Sequence, residues 1–190
     1  MERVPSMKAQ VNKVTIQIIR EDILSLHVGG IVVPTDVNLT VSAPLAAKAG
    51  PTVQRECIQI GWCEIASAVV TNAGNLPAEK IIHAVGPRWG EGSERGKLAN
   101  VTLECLRLAE QHRLKSLAIP PISTGALGYP LENCAKTMLM QIIDFTFENL
   151  KHLRQVFVCV DTALALDVFN QEFAEQLQEL KEAGEGKVRV

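Results

Sequence analysis

The sequence contains no run of about 18 apolar residues, so no membrane-spanning helix is expected. Residues 1–13 lack the apolar core of a secretory signal, and no targeting segment is read there. There is no basic excess either: 19 Lys and Arg stand against 21 Asp and Glu, a net charge of −2. That balance excludes the broad positive face on which direct nucleic-acid binding rests. It leaves room for a ligand whose phosphates are read locally. Five cysteines include no C-x-x-C pair, and with the four histidines they never fall at zinc-ligand spacing. An odd count set in apolar surroundings reads as free thiols in an intracellular, reducing compartment. Cys63, which follows Trp62 in a more polar stretch, is the one candidate for a reactive thiol. Neither G-x-x-x-x-G-K-[ST] nor G-x-G-x-x-G occurs, which excludes the triphosphate-binding P-loop and the dinucleotide fingerprint. No internal repeat, low-complexity run or domain boundary is visible.

What is present is ordinary for one globular domain: 190 residues, 47% apolar and 21% charged. Val14–Arg20 alternates apolar and polar residues as a half-buried strand does. Asp22 then suits the cap of a short helical turn. Residues 30–34 form a short apolar strand that empties into Thr35-Asp36-Val37-Asn38. Residues 42–60 read as one helix with Pro44 in its first turn and Gly61 at its end. Strands follow at 65–71 and Lys80–Val85, then an amphipathic helix over 97–113. After a strand at 115–119 and a helix over 131–150 come a buried strand, Gln155–Val160, and a terminal helix over 163–181.

This alternation predicts an α/β fold: a three-layer α/β/α sandwich around a mixed, mostly parallel central sheet. In such sheets ligands bind beyond the carboxyl ends of the strands. The most informative stretch there is 115–130, Lys-Ser-Leu-Ala-Ile-Pro-Pro-Ile-Ser-Thr-Gly-Ala-Leu-Gly-Tyr-Pro. A strand that passes through a Gly-rich loop into a helix presents unpaired backbone N–H groups, a natural anion site. The loop carries no Lys or Arg, so an anion there rests on amides and on the Ser123 and Thr124 hydroxyls. A plain connection with the same Gly and Pro content remains the alternative. Asp22 and Asp161 read equally as turn or cap residues, and His83 as a core histidine satisfied by backbone.

Taken in order, Glu21-Asp22-Ile23, Ile31-Val32-Val33-Pro34-Thr35-Asp36, Leu76-Pro77-Ala78-Glu79-Lys80-Ile81-Ile82-His83, Val85-Gly86-Pro87-Arg88-Trp89-Gly90 and Ser123-Thr124-Gly125-Ala126-Leu127-Gly128-Tyr129-Pro130 resemble the macrodomain, an ADP-ribose-binding module. The likeness spans residues 14–177, and its Pro-Thr turn and Pro-x-Trp-Gly segment look closest to the macrodomain of macro-histones. It implies a single macrodomain at 14–181, an N-terminal lead-in at 1–13 and a flexible tail at 182–190. It also implies ligand contacts. Asp22 would accept from the adenine amine beside Ile23. Ser123, Thr124, Gly125, Ala126, Leu127, Gly128 and Tyr129 would hold the diphosphate. Asp161 and Thr162 would border the adenosine.

The departures carry equal information. Where hydrolytic macrodomains have Asn-Ala-Ala-Asn and a glycine-rich loop, this sequence reads Val33-Pro34-Thr35-Asp36 and Val41-Ser42-Ala43-Pro44. Val33 cannot hydrogen-bond the distal ribose through its side chain. Leu127 stands where many members carry an aromatic or polar residue, and Val160 where many carry an aromatic one beside the adenine. The resemblance therefore implies non-catalytic binding of ADP-ribose, free or on ADP-ribosylated proteins, with no cofactor, metal or membrane partner. A macro-histone-like member would be a nuclear chromatin reader, within a longer chromatin protein; otherwise it would be cytoplasmic. The alternatives are a hydrolase of ADP-ribosyl esters or O-acetyl-ADP-ribose that uses Asp36, and a ligand-independent interaction module.

Overall fold

In the computed structural model, which describes residues 6–190, the chain builds one eight-stranded sheet. Along the chain the elements are β1 (Lys8–Val11), β2 (Val14–Arg20), β3 (Gly30–Thr35), α1 (Ala43–Ala49), α2 (Pro51–Ile60), β4 (Ala68–Asn72) and β5 (Lys80–Val85). There follow α3 (Glu94–Gln111), β6 (Ser116–Ile119), α4 (Leu131–Phe145), β7 (Gln155–Val160), α5 (Ala163–Ala183) and β8 (Val188–Arg189). The sheet order is β4-β5-β3-β6-β7-β2-β1-β8. From β5 to β2 every pairing is parallel, while β4, β1 and β8 add antiparallel edges. The mixed, mostly parallel three-layer architecture is the one the alternation predicted.

Burial explains the layers. In β2 the inward set Val14, Ile16 and Ile18 is sealed from solvent, as the two-residue strand period requires. These residues share one core with Val32, Leu117, Ile119 and the buried faces of α3, α4 and α5, anchored by Phe169 and Phe173. The opposite face is smaller: Ile31, Ile81, Val85 and Ala118 join Leu45, Val53 and Cys57 of α1 and α2. Burying one such large side chain contributes about 1.5–3 kcal/mol, so both faces hold the helices firmly.

Three expectations need correction. The lead-in and the flexible tail are both part of the sheet: β1 pairs with β2 through a turn at Asn12 (φ 55°), and β8 pairs with β1. Asn12 clamps the tail, since its N–H donates to Lys187 O at 2.7 Å and its side-chain oxygen accepts from Lys187 N at 3.1 Å. The first five residues of the expected lead-in lie outside the described residues. The single helix over 42–60 is two helices, because Gly50 turns at φ 82° and Pro51 has no N–H with which to continue the ladder. The helix at 131–150 stops at Phe145, and residues 151–153 are held by the Glu110 carboxylate, which accepts their three backbone N–H groups.

Strand β6 pairs with β3 only at Gly30 and Ile31. Beyond Ile31 the two strands part, and a crevice opens at the carboxyl edge of the sheet. Everything of chemical interest gathers around that opening.

Candidate functional site

The crevice is a groove of about 680 Å3 that runs from Glu21 and Asp22 past Val33 and Pro34 to Thr124 and Gly125. At one end Asp22 follows β2 directly. Its Oδ1 accepts from Leu24 N at 3.1 Å and so caps a 3-10 turn over Ile23–Ser25, while Oδ2 accepts from Lys48 Nζ at 2.7 Å. The Lys48 hydrogen bond, helped by the Leu24 amide, holds the Asp22 carboxyl below the usual carboxylate range. The side chain is still 53% exposed, and each oxygen keeps a second lone pair for a ligand donor. The two roles the sequence left open for Asp22, cap and ligand contact, are compatible. Asp161 and Thr162 stand opposite, at the end of β7, and Thr162 Oγ1 caps α5 by accepting from Ala165 N. Buried Val160, the last residue of β7, lines the groove just before them and has no aromatic face to offer a base.

The loop after β6 forms the middle of the site. It is locked from within: Thr124 Oγ1 donates to Pro121 O, Tyr129 N to Ser123 O, and Gly128 N to Gly125 O. Trp89 N ties it to the neighbouring loop through Leu127 O at 2.9 Å. Among the described residues, the N–H groups of Thr124, Gly125, Ala126 and Leu127 have no backbone acceptor. Four consecutive donors left in this way make an anion-binding concavity that needs no lysine. Helix α4 begins directly behind, with Pro130 at its cap position and no side-chain cap on its first amides.

The predicted contacts divide here. Ile23, Thr124, Gly125, Tyr129, Asp161 and Thr162 line the groove with Asp22. Ser123, Ala126 and Gly128 do not line it, and Leu127 lines a second recess. Ser123 turns inward at φ 68°, and its hydroxyl is buried against Gly86 without a hydrogen-bond partner. The hydroxyl expected to face a ligand therefore does not line the groove, whereas the neighbouring Thr124 and Gly125 do. Tyr129 reaches the groove with little surface, its ring packed edge-on against Trp89 at 5.0 Å between centroids.

Sequence reasoning missed most of the apolar walls. Leu45, Pro120, Pro121 and Leu131 line the groove beside Val33 and Pro34, which the departures from the hydrolase pattern had already singled out, and the only signal of these four was their position at strand and helix ends. Ser42 lines it too while its Oγ accepts from Leu45 N and caps α1. Asp36 stands outside the main groove, in the second recess. Its Oδ1 accepts from Asn38 N, Thr40 N and Thr40 Oγ1, and the Thr40 hydroxyl in particular lowers the carboxyl pKa.

Two other candidates lie away from the opening. His83 is buried, but its Nε2 meets Thr71 Oγ1 at 2.8 Å and Cys57 Sγ at 3.8 Å, not backbone as expected. Burial lowers its pKa to about 4. Cys63 is 4% exposed and burial raises its thiol pKa, which removes it as a reactive group.

The Macro domain family model matches residues 37–138 of the chain. An uncharacterised protein of Sulfurisphaera tokodaii is 35% identical, covering 87% of this chain and 94% of its own. The O-acetyl-ADP-ribose deacetylase 2 of Pantoea vagans is 34% identical, covering 80% of this chain and 93% of its own. The O-acetyl-ADP-ribose deacetylase of Salmonella typhimurium is 36% identical over 79% of this chain and 89% of its own. Among solved structures, the Oceanobacillus iheyensis macrodomain mutant G37V with ADPR superimposes with a TM-score of 0.85 at 27% identity, over 92% of this chain and all of that one. The same macrodomain with ADP gives 0.86 at 26% identity, over 92% of this chain and 98% of that one. The family match takes in the loop after β6 and the start of α4, the relatives extend it along most of the sequence, and the solved structures share the whole architecture: the chain belongs to the macrodomain family.

Proposed function

We propose that the groove binds ADP-ribose, with the adenine at Asp22 and the diphosphate on the amides of residues 124–127. The observation that carries this reading is that Thr124 and Gly125, whose backbone N–H groups have no backbone acceptor, line the groove at the start of a run of four such amides. A diphosphate satisfies several such donors at once, and the adjacent start of α4 favours its charge. The Oceanobacillus iheyensis macrodomain with ADPR supports the choice of ligand. The groove is open and not filled by its own side chains, which supports ligand binding over a ligand-independent module.

Beyond binding, hydrolysis of O-acetyl-ADP-ribose ranks ahead of non-catalytic chromatin reading. Two of the three relatives described above are bacterial O-acetyl-ADP-ribose deacetylases, which draws the reading away from macro-histones, chromatin and the nucleus. In that reaction water attacks the acyl carbonyl, the ester C–O bond breaks, and acetate and ADP-ribose leave. Val33 supplies no hydrogen bond to the sugar through its side chain. The activating carboxylate assigned here is Asp36, through the oxygen that its own turn leaves over. A carboxylate with a lowered pKa is a weak general base, so turnover is expected to be slow.

Calorimetry with ADP-ribose tests the binding claim. Asp22→Ala removes an ionised acceptor worth about 1.5–3 kcal/mol and should weaken binding roughly ten- to a hundredfold. No heat from the unaltered protein at high ligand concentration rejects the reading. Acetate release from O-acetyl-ADP-ribose tests the second step: no release rejects hydrolysis, and undiminished release by Asp36→Asn rejects the role given to Asp36.

A further inference from the structure

The groove does not end at Pro34. The same residue lines a second recess of about 410 Å3, on the far side of the anion loop from Asp22. Its walls are Pro34, Val37, Ile65, Val85 and Leu127, from four separate segments of the chain. Three charged residues, Asp36, Arg88 and Glu91, complete it. We infer that this recess takes the hydrocarbon part of an acyl group longer than acetyl, carried on the terminal sugar of the bound ligand. The inference rests on the ADP-ribose reading of the groove and specifies its substrate class.

Three observations lead there. The first is continuity. Leu127 belongs to the loop whose amides face the anion, so a sugar beyond the diphosphate reaches the recess at Pro34 and Leu127. The second is size, because a two-carbon acetyl group leaves most of the recess empty. The third is the chemistry of the walls. Ile65 is a large apolar side chain left 40% exposed, and covering it with hydrocarbon removes that surface from water. The two carboxylates are largely engaged elsewhere. Glu91 Oε1 accepts from Arg88 N at 3.0 Å and pairs with Lys97 Nζ at 3.7 Å, and Asp36 Oδ1 holds its own turn. With two carboxylates, Asp36 and Glu91, against the single guanidinium of Arg88, the recess is net negative and favours a neutral chain end over an acidic one.

The test is calorimetry on the full chain with ADP-ribose and with analogues that carry acetyl, butyryl or hexanoyl on the terminal ribose through an amide, which resists turnover. Two added methylenes should tighten binding roughly tenfold from acetyl to butyryl. Ile65→Asp should abolish that gain and Ile65→Ala reduce it, with affinity for plain ADP-ribose kept within about twofold. Equal affinity across chain lengths, weaker binding of the longer chains, or a gain that survives Ile65→Asp overturns the inference while ADP-ribose still binds. Tighter binding of an amide-linked glutamyl peptide than of the butyryl analogue overturns it in favour of a peptide-reading recess. Failure of ADP-ribose itself to bind overturns the groove reading and this inference together.

Discussion

Replacing Gly86 by alanine tests whether the anion loop is held in place by close packing from beneath. A Cβ at Gly86 would stand 2.2 Å from Ser123 Oγ and 2.6 Å from Ile122 Cγ2, well inside van der Waals contact. Neither neighbour has space to retreat. Ile122 is fully buried, and Ser123 is 6% exposed in a left-handed backbone conformation that fixes its direction. Overpacking of this kind costs about 1–3 kcal/mol, and each kcal/mol shifts Tm by roughly 2–4 °C in a domain of this size. The expected loss is therefore about 2–12 °C in a thermal melt. The easiest relief is to push residues 122–124 outward, which spreads the amides of Thr124 and Gly125. ADP-ribose affinity measured by calorimetry should then fall at least about tenfold, the equivalent of one charge-assisted hydrogen bond. Adding Ser123→Ala removes the shorter contact and should restore part of both losses. Gly29→Ala is the control: its Cβ would meet Ser116 O at 3.0 Å beside the start of β3, at the other end of the strand from the groove. It should cost stability and leave affinity alone. Wild-type Tm and affinity in Gly86→Ala would refute the packing argument, and an equal affinity loss in Gly29→Ala would refute its localisation to the loop.

His83 gives a pH prediction. Its folded pKa is about 4 against an ordinary 6.5, so the unfolded chain takes up a proton first as pH falls. Stability should decline by about 2 kcal/mol between pH 7.5 and pH 5 in urea denaturation, and His83→Gln should flatten that slope. An unchanged slope in the variant assigns the effect to other groups. For Glu110, burial pushes the carboxyl pKa up, but the amides of Leu153, Lys151 and His152 outweigh it and leave the pKa lowered. Its contribution is present above the ordinary carboxylate pKa and is lost as pH drops through the folded value. Glu110→Gln should cost about 1–2 kcal/mol at neutral pH and speed amide exchange at residues 151–153. Unchanged exchange there would show that the carboxylate does not hold the segment.

Much of the fold was legible because its local signals agree with its final surroundings. Strands β2, β5 and β7 have the expected limits, since alternation or apolar runs of that length match buried strands. Edge strands β1 and β8 were not legible. Four and two residues carry little pattern of their own, and their stability comes from partners far along the chain. The break at Gly50 was written in Gly-Pro but was outweighed by the helical periodicity on both sides. Likewise, short matching segments pointed toward macro-histones, whereas similarity along most of the chain points to bacterial deacetylases.

At the site, the sequence alone determined a glycine-punctuated strand-to-helix loop without a cation and an acid directly after a strand. These are local properties, and they leave backbone amides and hydroxyls as the donors such a loop can offer. Only the tertiary structure decided which groups face the ligand. It turned the Ser123 hydroxyl inward against Gly86, paired Asp22 with Lys48, and gave His83 a threonine in place of backbone. It also brought Asp36, Ile65, Arg88 and Leu127 together around one recess. Those relations depend on where strands part and loops meet. Residues separated by long stretches of chain acquire them only when the sheet orders its strands.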